Sequence, residues 1–598
     1  MARRRRDPLV RVRAVSLEPP LFPARIPPYP PTIPEMLRHV AARYGDREAQ
    51  VRGDSRISFR DLDRRSAQLA KGLLAHGAGK GTRIGLLAPN APEFTLMFMA
   101  AARIGAIVAP LSTLYQTPEL AWVLRNADIQ VLLTFDRHLG HDYLGRLEAA
   151  FPELTGQGFG RLALSGAPYL RSVFVWGQCD RTWAAPAEDT LIAFAEGRPE
   201  LDEALLRAVE DAVSPADGLC MIHTSGSTAY PKGVLHGHGP MVRHTYQMAH
   251  DFFGILPGER FVSSRPFFWV AGLSATLLHS LHLGCCIITP ESPSGTAIRG
   301  LVDQERVTAL CGDEGWFKTL NADPAFTQAG LQAFRHTMDC AALARRDGDK
   351  AQFLNPARSG AAEPIPSERI ARSYGMTETL GAHTSMSPDA LLTADRPRFC
   401  GHAVPGVRHR IVDPVTRAPL RAGELGELEV SGYCLMQGLY KQERGDTFTA
   451  DGFYATGDIC LVDEDGYLAF SHRRGEMLKI RGANVAPLEV ELALNGLPMV
   501  ERSAVVGVDA PDGTTLVAAV QLRAGQAFDE AEARAALRGR LSSFKIPKRL
   551  FVLAAEDFPI TGSGKVKKAA LAERLGARLA AEVAEQHHAK PTEIREDR

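Results

Sequence analysis

From Met221 to Val234 the chain reads MIHTSGSTAYPKGV, an apolar run that passes into hydroxyl groups and a glycine and closes on Pro231-Lys232-Gly233. A loop of this make-up after an apolar run suits a polyphosphate. Gly226 lets backbone N–H groups approach phosphate oxygens, Thr224, Ser225, Ser227 and Thr228 add hydroxyl donors, and Lys232 supplies a cation on a flexible stem. It is not a Walker A loop. That motif needs Gly directly before its Lys and Ser or Thr directly after, and Pro231 and Gly233 stand there instead. Taken alone, the segment is also compatible with an ordinary Ser/Gly surface loop.

The company the loop keeps decides between these. Downstream come Tyr374-Gly375-Met376-Thr377-Glu378-Thr379, then Tyr454-Ala455-Thr456-Gly457-Asp458, then Arg473 with Lys479 and Gly482, and last Pro559 to Lys565, PITGSGK. In order and spacing, from about Pro34 to Leu575, the sequence resembles the adenylate-forming (ANL) superfamily, which comprises AMP-forming acyl-CoA synthetases, adenylation domains of peptide synthetases and beetle luciferase.

The resemblance implies an α/β fold: a large N-terminal domain of two α/β sheets plus a distorted β-barrel, with a small mobile α+β C-terminal domain. The expected division is an arm over residues 1–34, an AMP-binding domain over 35–474, a C-terminal domain over 475–575 and a tail over 576–598. The implied ligands are ATP, Mg²⁺ and coenzyme A.

Residue by residue, the resemblance implies that Thr224 to Gly233 hold the β- and γ-phosphates, with Lys232 also catalytic. Gly360, Ala361, Tyr374 and Gly375 would complete the nucleotide site. Thr377 would contact the α-phosphate and Glu378 would ligate Mg²⁺, a hard cation that prefers oxygen ligands. Asp458 and Arg473 would hold the ribose, a carboxylate being acceptor-only and able to take both hydroxyl donors of a diol. Lys565, on a glycine-rich segment beside a basic run, would arrive late and bridge carboxylate and α-phosphate. By spacing alone, Lys565 reads as one more solvated lysine beside Lys567 and Lys568. Lys479, Arg481 and Gly482 would line the way in for pantetheine after the C-terminal domain rotates. His238, Ser359, Gly360, Trp269 and Trp316 would face the acid.

The reaction implied is attack of a carboxylate on the α-phosphate of ATP, then displacement of AMP by the thiol of coenzyme A. An acceptor thiol on a carrier protein would use the same residues, and a protein that binds adenylate without turnover is the alternative from another class. The nature of the acid turns on Pro266-Phe-Phe-Trp-Val-Ala-Gly272. Amino-acid-activating relatives carry an Asp where Trp269 stands, and burying an ammonium without that partner is costly. Phe268, Trp269, Leu273 and Trp316 suit a fatty or aryl acid, although aromatics of this kind are more often plain core. Asp313 and Glu314 beside Trp316 have no reading.

Composition removes other classes. Lys+Arg and Asp+Glu are 69 each in 598 residues, so the formal net charge is zero and no basic stripe points to nucleic acid. The run Arg3 to Arg6 lacks the apolar core of a twin-arginine signal, Phe94 to Val108 is a buried segment interrupted by Arg103 and too short for a bilayer, and no transmembrane span is expected. Nine scattered cysteines fit reduced thiols in a cytoplasm. His236, His238 and His244 have no ligand-spaced cysteine or carboxylate, so a metal cluster is not expected. A homo-oligomer is compatible with the sequence.

Periodicity predicts a helix over Phe59 to His76, a strand over Arg83 to Leu87, a β-rich stretch from about 400 to 470 and a helix from about Lys567 to Glu585. Three features depart from the resembling proteins: Ala229 where glycine is usual, Gly475 at the hinge, and only Glu363 to Ser373 before the Tyr374 motif. Cys340 to Asn355 does not read as the apolar strand expected there.

Overall fold

Ser58 accepts a hydrogen bond from Asp61 N–H at 3.0 Å and so starts the helix Phe59–Ala75, whose apolar positions Phe59, Leu62, Leu69 and Leu73 fall on one buried stripe. The strand Arg83–Leu87 follows, and the pair repeats as helix Pro92–Arg103, strand Ile107–Pro110 and helix Thr117–Asn126. The computed structural model describes residues 24–224, 231–251, 257–292, 294–312, 316, 320, 336–338, 344–347, 350–354, 364–365, 373–385, 399–474, 478–480, 483–485, 487–510, 513–538, 540–541, 545–561 and 565–588. Two compact units emerge: residues 1–409, 430–454 and 462–468 form the first, and 410–429, 455–461 and 469–598 the second.

The first unit is built on two sheets. An eight-stranded sheet runs in the order Gly438–Leu439, Lys232–Gly237, Gly218–Thr224, Ile107–Pro110, Arg83–Leu87, Val131–Phe135, Ser172–Trp176, Ala185–Pro186. Its strands are parallel from Gly218–Thr224 onward, the doubly covered arrangement that alternating helices and strands produce. A six-stranded sheet orders His336–Met338, Ala309–Cys311, Arg260–Ser263, Cys286–Ile288, Glu48–Arg52 and Ser55–Ser58.

The apolar run expected from Phe94 to Val108 is a buried helix, Pro92–Arg103, followed by a turn and a strand. The charge that interrupts it is accommodated by partners: Arg103 lies 2.6 Å from both Glu210 Oε1 and Asp63 Oδ1, and Glu210 also takes Arg38 at 2.5 Å. The stretch from Cys340 to Asn355, which does not read as an apolar strand, supplies no strand of a large parallel sheet among the described residues. Ala344–Asp347, Lys350–Leu354 and Pro364–Ile365 form a three-stranded sheet of their own, which among the described residues is not joined to either large sheet. Arg345, Arg346 and Lys350 make this segment too polar for a doubly covered parallel sheet, and an antiparallel ladder accepts it.

The predicted β-rich stretch holds a four-stranded sheet ordered Val407–Val412, Gly426–Gly432, Tyr454–Val462, Leu468–Arg473. In the second unit Val500–Ala510 pairs antiparallel with Gly513–Leu522, and Arg549–Val552 adds in parallel. Alternation along Val500–Ala510 sends Val505 into one apolar cluster and Ala504, Val506 and Val508 into another, so both faces are covered. The helix Lys568–His588 covers the second of these through Leu571, Leu575 and Leu579. Among the described residues no helix is long and apolar enough to cross a membrane.

Candidate active site

The loop between Thr224 and Lys232 is the connection of a hairpin. Gly218–Thr224 and Lys232–Gly237 pair antiparallel, with Thr224 opposite Lys232 at the loop's base. Gly233 is fixed by space: a Cβ there would sit 2.8 Å from the Met221 sulfur. Ser225, Gly226, Ser227, Thr228 and Ala229 lie outside the described residues, as do Asp313, Glu314, Ser359, Gly360, Ala361, Gly475, Arg481, Gly482 and the Lys479 side chain.

The Tyr374 motif folds into a tight turn. Gly375–Met376 pairs with Gly381–Ala382, and Thr377–Thr379 form a 3₁₀ turn between them. Gly375 permits the closure, because a Cβ would meet Gly381 O at 2.1 Å. Leu380, fully buried, takes the left-handed conformation at φ 62°, which a branched side chain adopts only when its surroundings impose it. Thr379 Oγ1 lies 3.2 Å from Met376 N and 2.9 Å from Gly381 O, tying the turn to itself. Glu378 is half-buried, accepts from the Tyr454 hydroxyl at 3.4 Å, and its backbone carbonyl takes Met436 N–H at 2.8 Å.

Histidines surround this turn. His236 Nε2 donates to Thr377 O at 2.8 Å, and His244 Nε2 donates to Ala382 O at 3.0 Å while its Nδ1 accepts from Tyr433 Oη at 3.1 Å. His383 and His409 bond to each other at 2.8 Å. His236, His244 and His383 are buried and His409 is half-buried, and loss of hydration lowers their pKa values, to about 4 for His236, His244 and His409, so they are neutral rings at ordinary pH. His238 is placed elsewhere: fully buried, it accepts Ile33 N–H at 3.2 Å and so caps the start of helix Ile33–Tyr44. The histidine beside the Thr377 turn is therefore His236. Strand alternation from Lys232, with His236 at the same-face position, is the signal that would have found it. No group of three metal-ligating side chains occurs among the described residues.

The acid-side segment begins with Trp269, half-buried, against Phe268 in an edge-to-face contact of 5.4 Å. It continues as a π-helical stretch, Leu273–Leu278, entirely buried. Ser274 Oγ lies 2.7 Å from Val270 O and 2.9 Å from Leu380 O, so this segment touches the Thr377 turn. Trp316 instead joins the core of the six-stranded sheet with Val262, Ile298 and Leu310. Gly272 is held by backbone, a Cβ there falling 1.8 Å from Pro266 O. Gly272→Ala is expected to destabilise the first unit by about 3 kcal/mol, seen as a lower urea midpoint at unchanged slope.

In the second unit, Asp458 and Arg473 come together. Asp458 is 5 % exposed, its N–H donates to Thr456 Oγ1 at 3.1 Å, and Arg473 Nε stands 3.6 Å from its Oδ1. Gly457 at φ 75° makes the bend that aims the carboxylate. Arg473 is exposed, so the pair is open on the guanidinium side. Lys565 is also exposed, in a turn closed by Thr561 N–H to Lys565 O at 2.7 Å and Lys565 N–H to Thr561 Oγ1 at 3.1 Å.

The profile of the AMP-binding enzyme family matches residues 37–440, and that of the AMP-binding enzyme C-terminal domain matches 489–565. A feruloyl-CoA synthase of Amycolatopsis sp is 29 % identical over 538 residues, covering 90 % of this chain and 97 % of its own. The mitochondrial medium-chain acyl-CoA ligase ACSF2 of Rattus norvegicus is 27 % identical over 562 residues, 92 % of this chain and 88 % of its own. The crystal structure of the anthranilate CoA ligase AuaEII with anthranoyl-AMP superposes with TM-score 0.72 at 21 % identity, over 93 % of this chain and 99 % of that one, a likeness of fold.

Proposed function

The chain belongs to the AMP-binding enzyme family, and from that premise we propose that it is an AMP-forming acid–thiol ligase acting on a fatty or aryl acid. It uses ATP to turn the carboxylic acid into an acyl-adenylate and passes the acyl group to coenzyme A. The observation that carries the reading is the 2.8 Å contact of His236 with Thr377 O, which joins the strand bearing Lys232 to the turn bearing Thr377 and Glu378. Two motifs far apart in sequence thus meet where a triphosphate needs cations, hydroxyls and a carboxylate together.

In the first half-reaction a carboxylate oxygen of the acid attacks the α-phosphorus, and the bond from phosphorus to the bridging oxygen of pyrophosphate breaks. Lys232 balances the β- and γ-phosphates, the Thr377 hydroxyl donates to an α-phosphate oxygen, and Lys565 supplies charge to the oxygens of the reacting centre. Asp458 and Arg473 grip the ribose, the carboxylate accepting from its hydroxyls. In the second half-reaction the thiol gives its proton to solvent, sulfur attacks the acyl carbon, and the C–O bond to AMP breaks. Lys479 lies on the strand Leu478–Ile480 and belongs to the thiol's approach in this reading.

Glu378 fits Mg²⁺, which takes one or two carboxylates and completes its shell with water and phosphate oxygen rather than an all-protein cage. That ion would neutralise phosphate charge. Trp269 and Phe268 favour an acid with an apolar body, as the medium-chain and feruloyl substrates in the relatives' names have.

Pyrophosphate release from ATP and Mg²⁺ across fatty, aryl and amino acids, with coenzyme A or a phosphopantetheinyl carrier protein as acceptor, tests the reading. Fatty or aryl acids should support release, and coenzyme A should be converted to thioester. Release with amino acids alone overturns the substrate class, transfer only to the carrier overturns the acceptor, and ATP binding without release with any acid overturns the enzyme.

A further inference from the structure

We propose that His236 and His244 are positioning residues for adenylation: buried Nε2–H donors that hold the Thr377–Glu378 turn at both ends, from two other elements of the fold. The inference rests on the adenylation reading above and adds residues to it.

The turn does not support itself well. Its ladder is two residue pairs long, and it contains a buried leucine in the left-handed region. A two-stranded ladder of that length is not independently stable, and a leucine at positive φ drives it back toward other conformations. Something outside the turn must hold it. His236, on the strand Lys232–Gly237, donates to the carbonyl of Thr377; His244, on the helix His238–Asp251, donates to the carbonyl of Ala382. These two carbonyls flank the strained residue. Ser274, with Oγ 2.9 Å from Leu380 O, is placed to hold the strained residue itself.

The chemistry of the rings argues for donation rather than filling. Both accepting atoms are carbonyl oxygens, so each imidazole carries its proton on Nε2. His244 then has a bare Nδ1, which the Tyr433 hydroxyl satisfies. His236 has a bare Nδ1 that finds no partner among the described residues. A buried nitrogen without a partner costs stability that a leucine in the same space would not. What the imidazole adds is the Nε2–H on Thr377 O. The strand of His236 also carries Lys232 on the same face, so the donor ties the height of the turn to the base of the phosphate loop. A turn displaced by about 1 Å places the Thr377 hydroxyl and Glu378 carboxylate wrongly for the reacting phosphate, at about a hundred-fold in rate.

The test is steady-state pyrophosphate release by His236→Leu, His236→Gln, His244→Leu and His244→Gln, beside wild type, with ATP affinity and the thermal midpoint measured on each. His236→Leu keeps the volume and loses the donor; glutamine keeps an N–H near Nε2. We expect His236→Leu to lower kcat by about 10- to 100-fold with KM for ATP and acid within about three-fold. His236→Gln should recover most of that loss, and His244→Leu should lower kcat in the same way, with His244→Gln recovering most of it. Full activity in His236→Leu overturns the proposal, and so does equal loss in Leu and Gln, which would make the site one of packing. A rise in KM with kcat unchanged also overturns it. A wild-type protein that releases no pyrophosphate removes the adenylation reading itself, a result separate from any of these.

Discussion

Lys565→Ala is expected to slow acid-dependent pyrophosphate release by about 10²–10³-fold while leaving the fold intact. Lys565 is exposed, in a turn held by backbone and by Thr561, so removing its side chain takes nothing from either apolar cluster of the second unit. Exposed positions of this kind change stability by about 0.5 kcal/mol or less. The loss expected in rate therefore belongs to the ammonium. Charge on the phosphate and the attacking carboxylate must be balanced at the moment the bond to pyrophosphate breaks, and a cation delivered into a dry site is worth several kcal/mol there. Lys568 is the matched comparison. It is held by Glu491 at 3.0 Å, whereas Lys565 has no ion pair among the described residues. Lys568→Ala should lose that pair, worth about 1 kcal/mol at most, and keep its rate of pyrophosphate release. Equal slowing in both variants would reduce Lys565 to general basic character; unaltered release in Lys565→Ala would remove it from the reaction.

Acid should unfold the first unit well before it titrates most carboxylates. His223, His236, His238 and His244 are buried and His409 is half-buried, and loss of hydration holds each near pKa 4 in the folded chain. In the unfolded chain each returns to about 6.5. The folded value is the lower one, so below pH 6.5 the unfolded chain takes up protons that the folded chain refuses. Stability is full above about pH 7 and is lost as pH falls toward 4, where the folded rings also protonate. Each ring costs about 2 kcal/mol by pH 5, and the five together about 10 kcal/mol, comparable to the whole stability of an ordinary domain. All five tryptophans, Trp122, Trp176, Trp183, Trp269 and Trp316, lie in this unit, so fluorescence in urea reports on it alone. The urea midpoint should be level between pH 7 and 8 and collapse by pH 5. An equal midpoint at pH 5 and 7.5 would show that these rings reach solvent when protonated.

What sequence could say depended on distance along the chain. The strand Arg83–Leu87 falls where the apolar run predicts, the helix Phe59–Ala75 stops one residue short of His76, and the last helix begins at Lys568, because local pattern sets each of these. Asp458 and Arg473, which the resemblance puts on one ribose, stand 3.6 Å apart. The part played by His236 was not legible, because its partner is a backbone carbonyl 141 residues away, and nothing in either local pattern encodes that pairing. His238, which the resemblance puts beside the acid, went to a helix cap for the same reason: a fold-level contact with Ile33 decides its place. Trp316 reads as pocket wall by type and as core by position, since the sheet it packs on forms from strands distant in sequence. The polar ladder around Lys350–Leu354 shows the reverse case, where composition correctly resisted a place in a parallel sheet.

The ion pairs around Arg103 bear on how this protein answers heat. Arg103, Asp63, Glu210 and Arg38 join the helices Pro92–Arg103, Phe59–Ala75, Glu203–Asp211 and Ile33–Tyr44 through contacts that are mostly shielded from water. Stripping water from charged groups becomes less costly as temperature rises, while the gain from burying apolar surface levels off. Warming therefore shifts cohesion in this corner from its hydrocarbon contacts toward its charges. These four helices should cling to one another longest in a hot solution and part earliest in a cold one.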